Sequence, residues 1–103
     1  MKTKINNLIW EIITVPCTNP ALIVNGANCL GTTWINEQKI YLSEELTKIT
    51  AKSVVIHELT HAFLYSTQIK EDESYTEEEM CEFLSKWGEQ ILCLSAEVYS
   101  ELF

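Results

Sequence analysis

Positive charge is scarce in this chain: Lys and Arg together number seven against fifteen Asp and Glu, for a formal charge of −8 and a pI of about 4.6. A field of that sign repels phosphates, and no basic stripe or basic amphipathic helix offsets it, so nucleic acid is excluded as an expected partner. Long apolar runs are missing too. The stretch after Lys2 and Lys4 is broken by Glu11 and reaches no small-residue cleavage pattern, so neither a signal peptide nor a membrane span is expected. Cys17, Cys29, Cys81 and Cys93 contain no CxxC pair, which excludes a zinc ribbon and a thioredoxin-like motif. Without export signals, free thiols and a cytoplasmic location are expected. Repeats, linkers and low-complexity tracts are absent, and 103 residues are expected to form one domain with one core, without room for a second.

Histidine is also rare, yet the two that exist stand together in His57-Glu58-Leu59-Thr60-His61. On a helix, side chains four apart share a face, with Cβ atoms roughly 5–6 Å apart, so both imidazoles can converge on one metal ion. Glu58 follows the first of them by one position, roughly 100° round the helix. That places a carboxylate beside the metal, where it can take a proton from water. The bland alternative is a helix whose histidines are merely satisfied polar groups on a half-buried face. Two histidines placed at random rarely fall four apart with Glu directly after the first, so HExxH is read as a zinc site.

Strand signals come before helix signals. Leu8 to Val15 is β-branched and aromatic and stops at Pro16, which predicts a strand. Ala21 to Val24 runs into Asn25-Gly26, a hairpin turn signal, with a short helix as the competing reading. Gly31 to Ile35 and Lys39 to Leu42 alternate around Asn36-Glu37-Gln38 and should pair as a hairpin. Ser43-Glu44-Glu45 has an N-cap pattern, and no Pro or Gly interrupts from there to about Thr67, which predicts a first helix. Its Val55, Ile56, Leu59, Ala62 and Phe63 take one side, and His57, Glu58, His61 and Tyr65 another. Glu71-Asp72-Glu73-Ser74-Tyr75 reads as an acidic connection, its three carboxylates solvated. Thr76-Glu77-Glu78-Glu79 matches a capping box, and Met80, Leu84, Trp87, Ile91, Leu94 and Val98 then recur at helical steps. The expected fold is α+β: a small antiparallel sheet of three to four strands packed against two long C-terminal helices that carry the zinc site.

A catalytic zinc usually has three protein ligands and one open position, so one ligand remains to be found. No third histidine exists, which excludes the metzincin pattern and turns the search to carboxylates. Ligands on helices are better fixed than ligands in loops, which favours Glu77, Glu78 or Glu82. Helical angles bring Glu77 nearer the apolar stripe than Glu78. Dipole and cap stabilisation in a solvated first turn is the alternative role for all of these, and the preferred one for Glu79.

His57-Glu58-Leu59-Thr60-His61-Ala62 reads identically to the zinc helix of thermolysin, and the chain resembles the gluzincins, the HExxH-plus-Glu metallopeptidases. In that family the third ligand lies on the next helix, followed four residues later by an acidic residue that hydrogen-bonds a ligand histidine. Glu78-Glu79-Met80-Cys81-Glu82 has this spacing, at a somewhat shorter distance from His61. The resemblance implies Glu78 as third ligand and Glu82 as the partner that orients an imidazole. The order of strands, hairpin, HExxH helix and second helix in so short a chain looks like the minigluzincins, and this likeness spans nearly the whole chain. More distantly, it is similar to the immunity-repressor peptidases of mobile elements.

The resulting expectation is a zinc-dependent metalloendopeptidase, active or latent, acting on a peptide or protein substrate. His57, His61 and Glu78 would hold Zn2+ and Glu58 would serve as general base. An extended substrate would pair with the hairpin edge around Gly31 to Ile35. The competing expectation is a zinc-stabilised interaction or regulatory module without peptidase activity, with the apolar tail from Leu92 to Phe103 covering the cleft or a partner.

Overall fold

The structure, a computed structural model, describes residues 1–67 and 74–103. Among these, six strands and two long helices alternate little: the strands come first and the helices last, as α+β. The acidic connection Glu71-Asp72-Glu73 lies outside the described residues.

Strand β1 (Lys2–Ile5) pairs antiparallel with β2 (Leu8–Val15) around Asn6-Asn7, whose φ angles of 45° and 73° suit a two-residue hairpin turn. Sequence reading found β2 but not β1. A 3-10 turn (Pro20–Leu22), with the Asn19 side chain accepting from the Ala21 N–H, leads into a small hairpin of β3 (Ile23–Val24) and β4 (Ala27–Asn28). Asn25 and Gly26, at φ 52° and 80°, make its turn, so both the helical and the hairpin readings of this stretch hold in part. β5 (Gly31–Trp34) and β6 (Lys39–Ser43) form the expected hairpin.

The sheet order is β1-β2-β6-β5. The expectation of an antiparallel sheet needs correction at its centre, because β2 and β6 run parallel, with Ile12 opposite Ile40 and Thr14 opposite Leu42. Each hairpin is antiparallel within itself, and the sheet is two hairpins laid side by side. A parallel pair needs a crossover. The 3-10 turn within that crossover packs against β5 and β6, where Thr32 and Trp34 donate to the Ala21 carbonyl and Leu22 is fully buried.

Side chains alternate across the sheet with a period of two. Trp10, Ile12, Ile40 and Leu42 share the face turned to the helices and, with Ile5, enter one core with Val55, Leu59, Ala62 and Phe63 of helix α1 (Lys48–Thr67). That helix starts later than Ser43, which ends β6 instead. The Ser43 hydroxyl accepts from the Glu45 N–H, and Thr47 caps α1 by accepting from the Thr50 N–H. Sheet pairing of Ser43 with Val15 therefore wins over local cap propensity.

Helix α2 (Glu77–Leu102) begins with the expected capping box: the Thr76 hydroxyl accepts from the Glu79 N–H, and the Glu79 carboxylate accepts from the Thr76 N–H. Its buried positions are Phe83, Ile91, Ser95 and Val98. Leu84, assigned to the core stripe by its sequence spacing, is 55% exposed because Phe83 takes the inward place one residue earlier. Phe63 meets Trp87 and the Lys52 ammonium lies over the Tyr99 ring, so the two helices run antiparallel. The tail after Leu92 is the end of α2, with Val98 fully buried and Leu102 and Phe103 packed on the core.

Candidate metal-binding and catalytic site

Helix α1 sorts the HExxH residues by angle. Val55, Leu59 and Ala62 face the core, Val54 and Glu58 face β5, and His57 and His61 remain on the open side. The His57 side chain is 68% exposed, and the two imidazole rings stand 4.9 Å apart, centroid to centroid, at 74° to each other. They form an exposed, adjacent pair, as the four-residue spacing requires.

Glu58 is different, being only 7% exposed. Its stem packs against Gly31 so closely that a β-carbon built there would lie 3.0 Å from the Glu58 Cγ. One carboxylate oxygen, Oε1, accepts from the Thr33 hydroxyl at 2.8 Å. The other, Oε2, lies 3.9 Å from Nε2 of His57, which is beyond hydrogen-bond range. Among the described residues no lysine pairs with this carboxylate. The Glu58 carboxylate is thus tethered at one oxygen while the other keeps contact with solvent, since among the described residues no buried side-chain oxygen lacks a hydrogen-bond partner.

An open cavity of about 340 Å³ adjoins it, lined by Leu30, Gly31, Ser53, Val54, His57 and Glu58. β5, which ends the sheet, forms one wall. No residue of α2 lines this cavity.

The donor set fits a zinc ion in part. Two imidazoles at adjacent helical levels could supply two of the usual three protein ligands. Among the described residues, however, no group of three or more His, Cys, Asp or Glu is placed to hold a metal ion. Glu77, Glu78 and Glu82 are exposed in the first turns of α2. Trp87, whose ring meets Phe63 of α1, is nine residues along α2 from Glu78, about 13 Å of helical rise. The structure sets His57 beside His61 and Glu58 3.9 Å from His57, and among the described residues neither Glu78 nor Glu82 joins them in a metal-holding group.

Tyr65, on the same side of α1 as the histidines, is 43% exposed, its ring meeting Trp10 edge-on. Thr33 escaped the sequence reading. Its signal is the strand period, which puts Thr33 and Gly31 on the α1 face opposite Ile40 and Leu42. No helix of the described residues is long and apolar enough to cross a membrane. Comparison of the chain with protein-family models, with curated proteins and with solved structures finds no match.

Proposed function

We propose that this chain is a zinc-dependent peptide hydrolase of the HExxH-plus-Glu kind, with His57 and His61 as ligands and Glu58 as general base. The observation that carries the reading is the Glu58 carboxylate, buried beside two exposed imidazoles with one oxygen anchored and one free. Zinc, when bound, supplies a Lewis acid that polarises the substrate carbonyl and makes water acidic enough to react at neutral pH. The chain's own residues do the rest. Glu58 accepts a proton from the attacking water at Oε2 and returns it to the leaving amine, so one water is consumed and one peptide bond becomes a carboxylate and an amine. The outer edge of β5 offers backbone groups to an extended peptide, which would add to the sheet as a further strand beside the cavity.

Glu78 as third ligand and Glu82 as its partner are part of the proposal by resemblance to gluzincins. For Glu78 to complete the site, metal binding has to draw the start of α2 toward His61. That requirement also supports a second reading, in which the two histidines hold zinc for an interaction or regulatory module that does not hydrolyse peptides.

Glu58→Gln separates the two, since it removes the base and keeps both imidazoles. Retained zinc with hydrolysis reduced by about 10²- to 10⁴-fold is the expected outcome. Wild-type protein that binds zinc and cleaves no peptide from a diverse library establishes the module instead.

A further inference from the structure

We infer that Thr33 is a positioning residue that assigns the two oxygens of Glu58 to different tasks, an inference that rests on the reading of Glu58 as base. Thr33 projects from β5 toward α1, and its Oγ1 lies 2.8 Å from Glu58 Oε1 and 3.2 Å from the Glu58 backbone carbonyl oxygen. A hydroxyl has one proton to give. The carboxylate is the stronger acceptor and the nearer one, and the carbonyl sits within α1, where helical bonding already uses it. The proton therefore goes to Oε1.

That bond restricts the carboxylate. Glu has three side-chain torsions, and its stem here is held on one side by the bare backbone of Gly31. Thr33 closes the other end with a donor that is itself stiff, because β-branching limits its χ1 rotamers. With Oε1 engaged, Oε2 is left toward His57 and the cavity as the oxygen available to a water proton. Without the hydroxyl the carboxylate can rotate, and either oxygen, or neither, faces the cavity. Thr33 touches neither substrate nor metal in this scheme and acts only through Glu58.

A purely structural role, in which the hydroxyl merely fastens β5 to α1, makes a different set of demands. Thr33→Val keeps shape and branching and removes the donor, Thr33→Ala removes the donor with less volume, and Thr33→Ser keeps it. In metal-free protein, the carboxyl carbon of Glu58 is followed by carbon-13 NMR. Val and Ala are expected to shift this resonance away from its wild-type position and to average the side-chain rotamers, while Ser retains both. In zinc-loaded protein, Val is expected to lower kcat by about 10- to 100-fold, as misplaced catalytic groups do. KM and zinc affinity should stay within about threefold, and Ser should restore kcat. An unchanged Glu58 resonance in folded Val and Ala variants overturns the inference whatever the activity, and so does unchanged kcat. If the wild type proves to hydrolyse nothing, the peptidase reading and with it the catalytic role of Thr33 fail, while the metal-free NMR still decides whether Thr33 holds the carboxylate.

Discussion

Gly31 and Glu58 touch without an intervening side chain: a β-carbon on Gly31 would lie 3.0 Å from Glu58 Cγ and 2.9 Å from Val54 Cγ1. Gly31→Ala must push β5 away from α1 or displace both side chains. The expected loss is about 1–3 kcal/mol of stability, the usual scale for overpacking, measured by urea unfolding. Hydrolysis should fall too, because the same contact seats the base. Unchanged stability would show that Val54 and Glu58 move aside at no cost.

Ser66 accepts from the Trp10 indole N–H at 2.9 Å inside the core, and its carbonyl accepts from Asn6 at 2.9 Å. Ser66→Ala removes only the first of these and leaves a buried indole N–H with no acceptor. A loss of about 1–3 kcal/mol is expected. Ser66→Thr, which keeps a hydroxyl, should lose less, and equal losses would trace the effect to packing.

Elemental analysis gives the ligand set. One zinc per chain is expected in folded wild type, with its loss in His57→Ala and His61→Ala. If α2 closes on the site through Glu78, Glu78→Ala also loses zinc while Glu77→Ala keeps it. Zinc should then perturb backbone amide resonances of residues 77–82. Full zinc content in Glu78→Ala would place the third ligand elsewhere, and no zinc in folded wild type even after metal is supplied would remove the hydrolase reading altogether.

Cys17 offers a pH test away from the cleft. The neighbouring Glu45 carboxylate hydrogen-bonds the thiol, desolvation disfavours the anion, and the Glu45 charge repels it, so the Cys17 thiol ionises above its ordinary range. Since only the thiolate alkylates, the onset of Cys17 modification should come at higher pH in the wild type than in a protein without the Glu45 charge. Glu45→Gln removes the charge and should move the Cys17 onset down. Identical onsets in both proteins would refute the role of Glu45.

Residue patterning made much of this legible. Alternation and the Asn36-Glu37-Gln38 break specified the β5–β6 hairpin, Thr76 and Glu79 specified the start of α2, and the four-residue spacing specified that the two imidazoles stand side by side on α1. What escaped was non-local. The parallel pairing of β2 with β6 has no signature in either strand, because both are compatible with either direction. β1 was hidden because Lys2 and Lys4 alternate with Thr3 and Ile5 at an edge, where burial is slight, although Asn6-Asn7 was a turn signal. Ser43 has the residue type of a cap and the position of a strand end, and burial in the sheet decided between them. Thr33 became visible only when β5 was laid against α1, since 25 residues separate it from Glu58.

The parallel centre of the sheet also bears on how the chain reaches this state. Each hairpin closes locally, β1 with β2 and β5 with β6, but Glu11 to Val15 must find Lys39 to Ser43 across the whole intervening segment. Loop-closure entropy opposes that step before any contact rewards it, so docking of the two hairpins is the expected slow event in folding. Gly31, Thr33, Glu58, His57 and His61 all belong to the later hairpin and the helix that follows it. These groups can thus assemble within one continuous stretch of chain, Gly31 to His61, while Glu78 of the proposed ligand set joins from the helix beyond it.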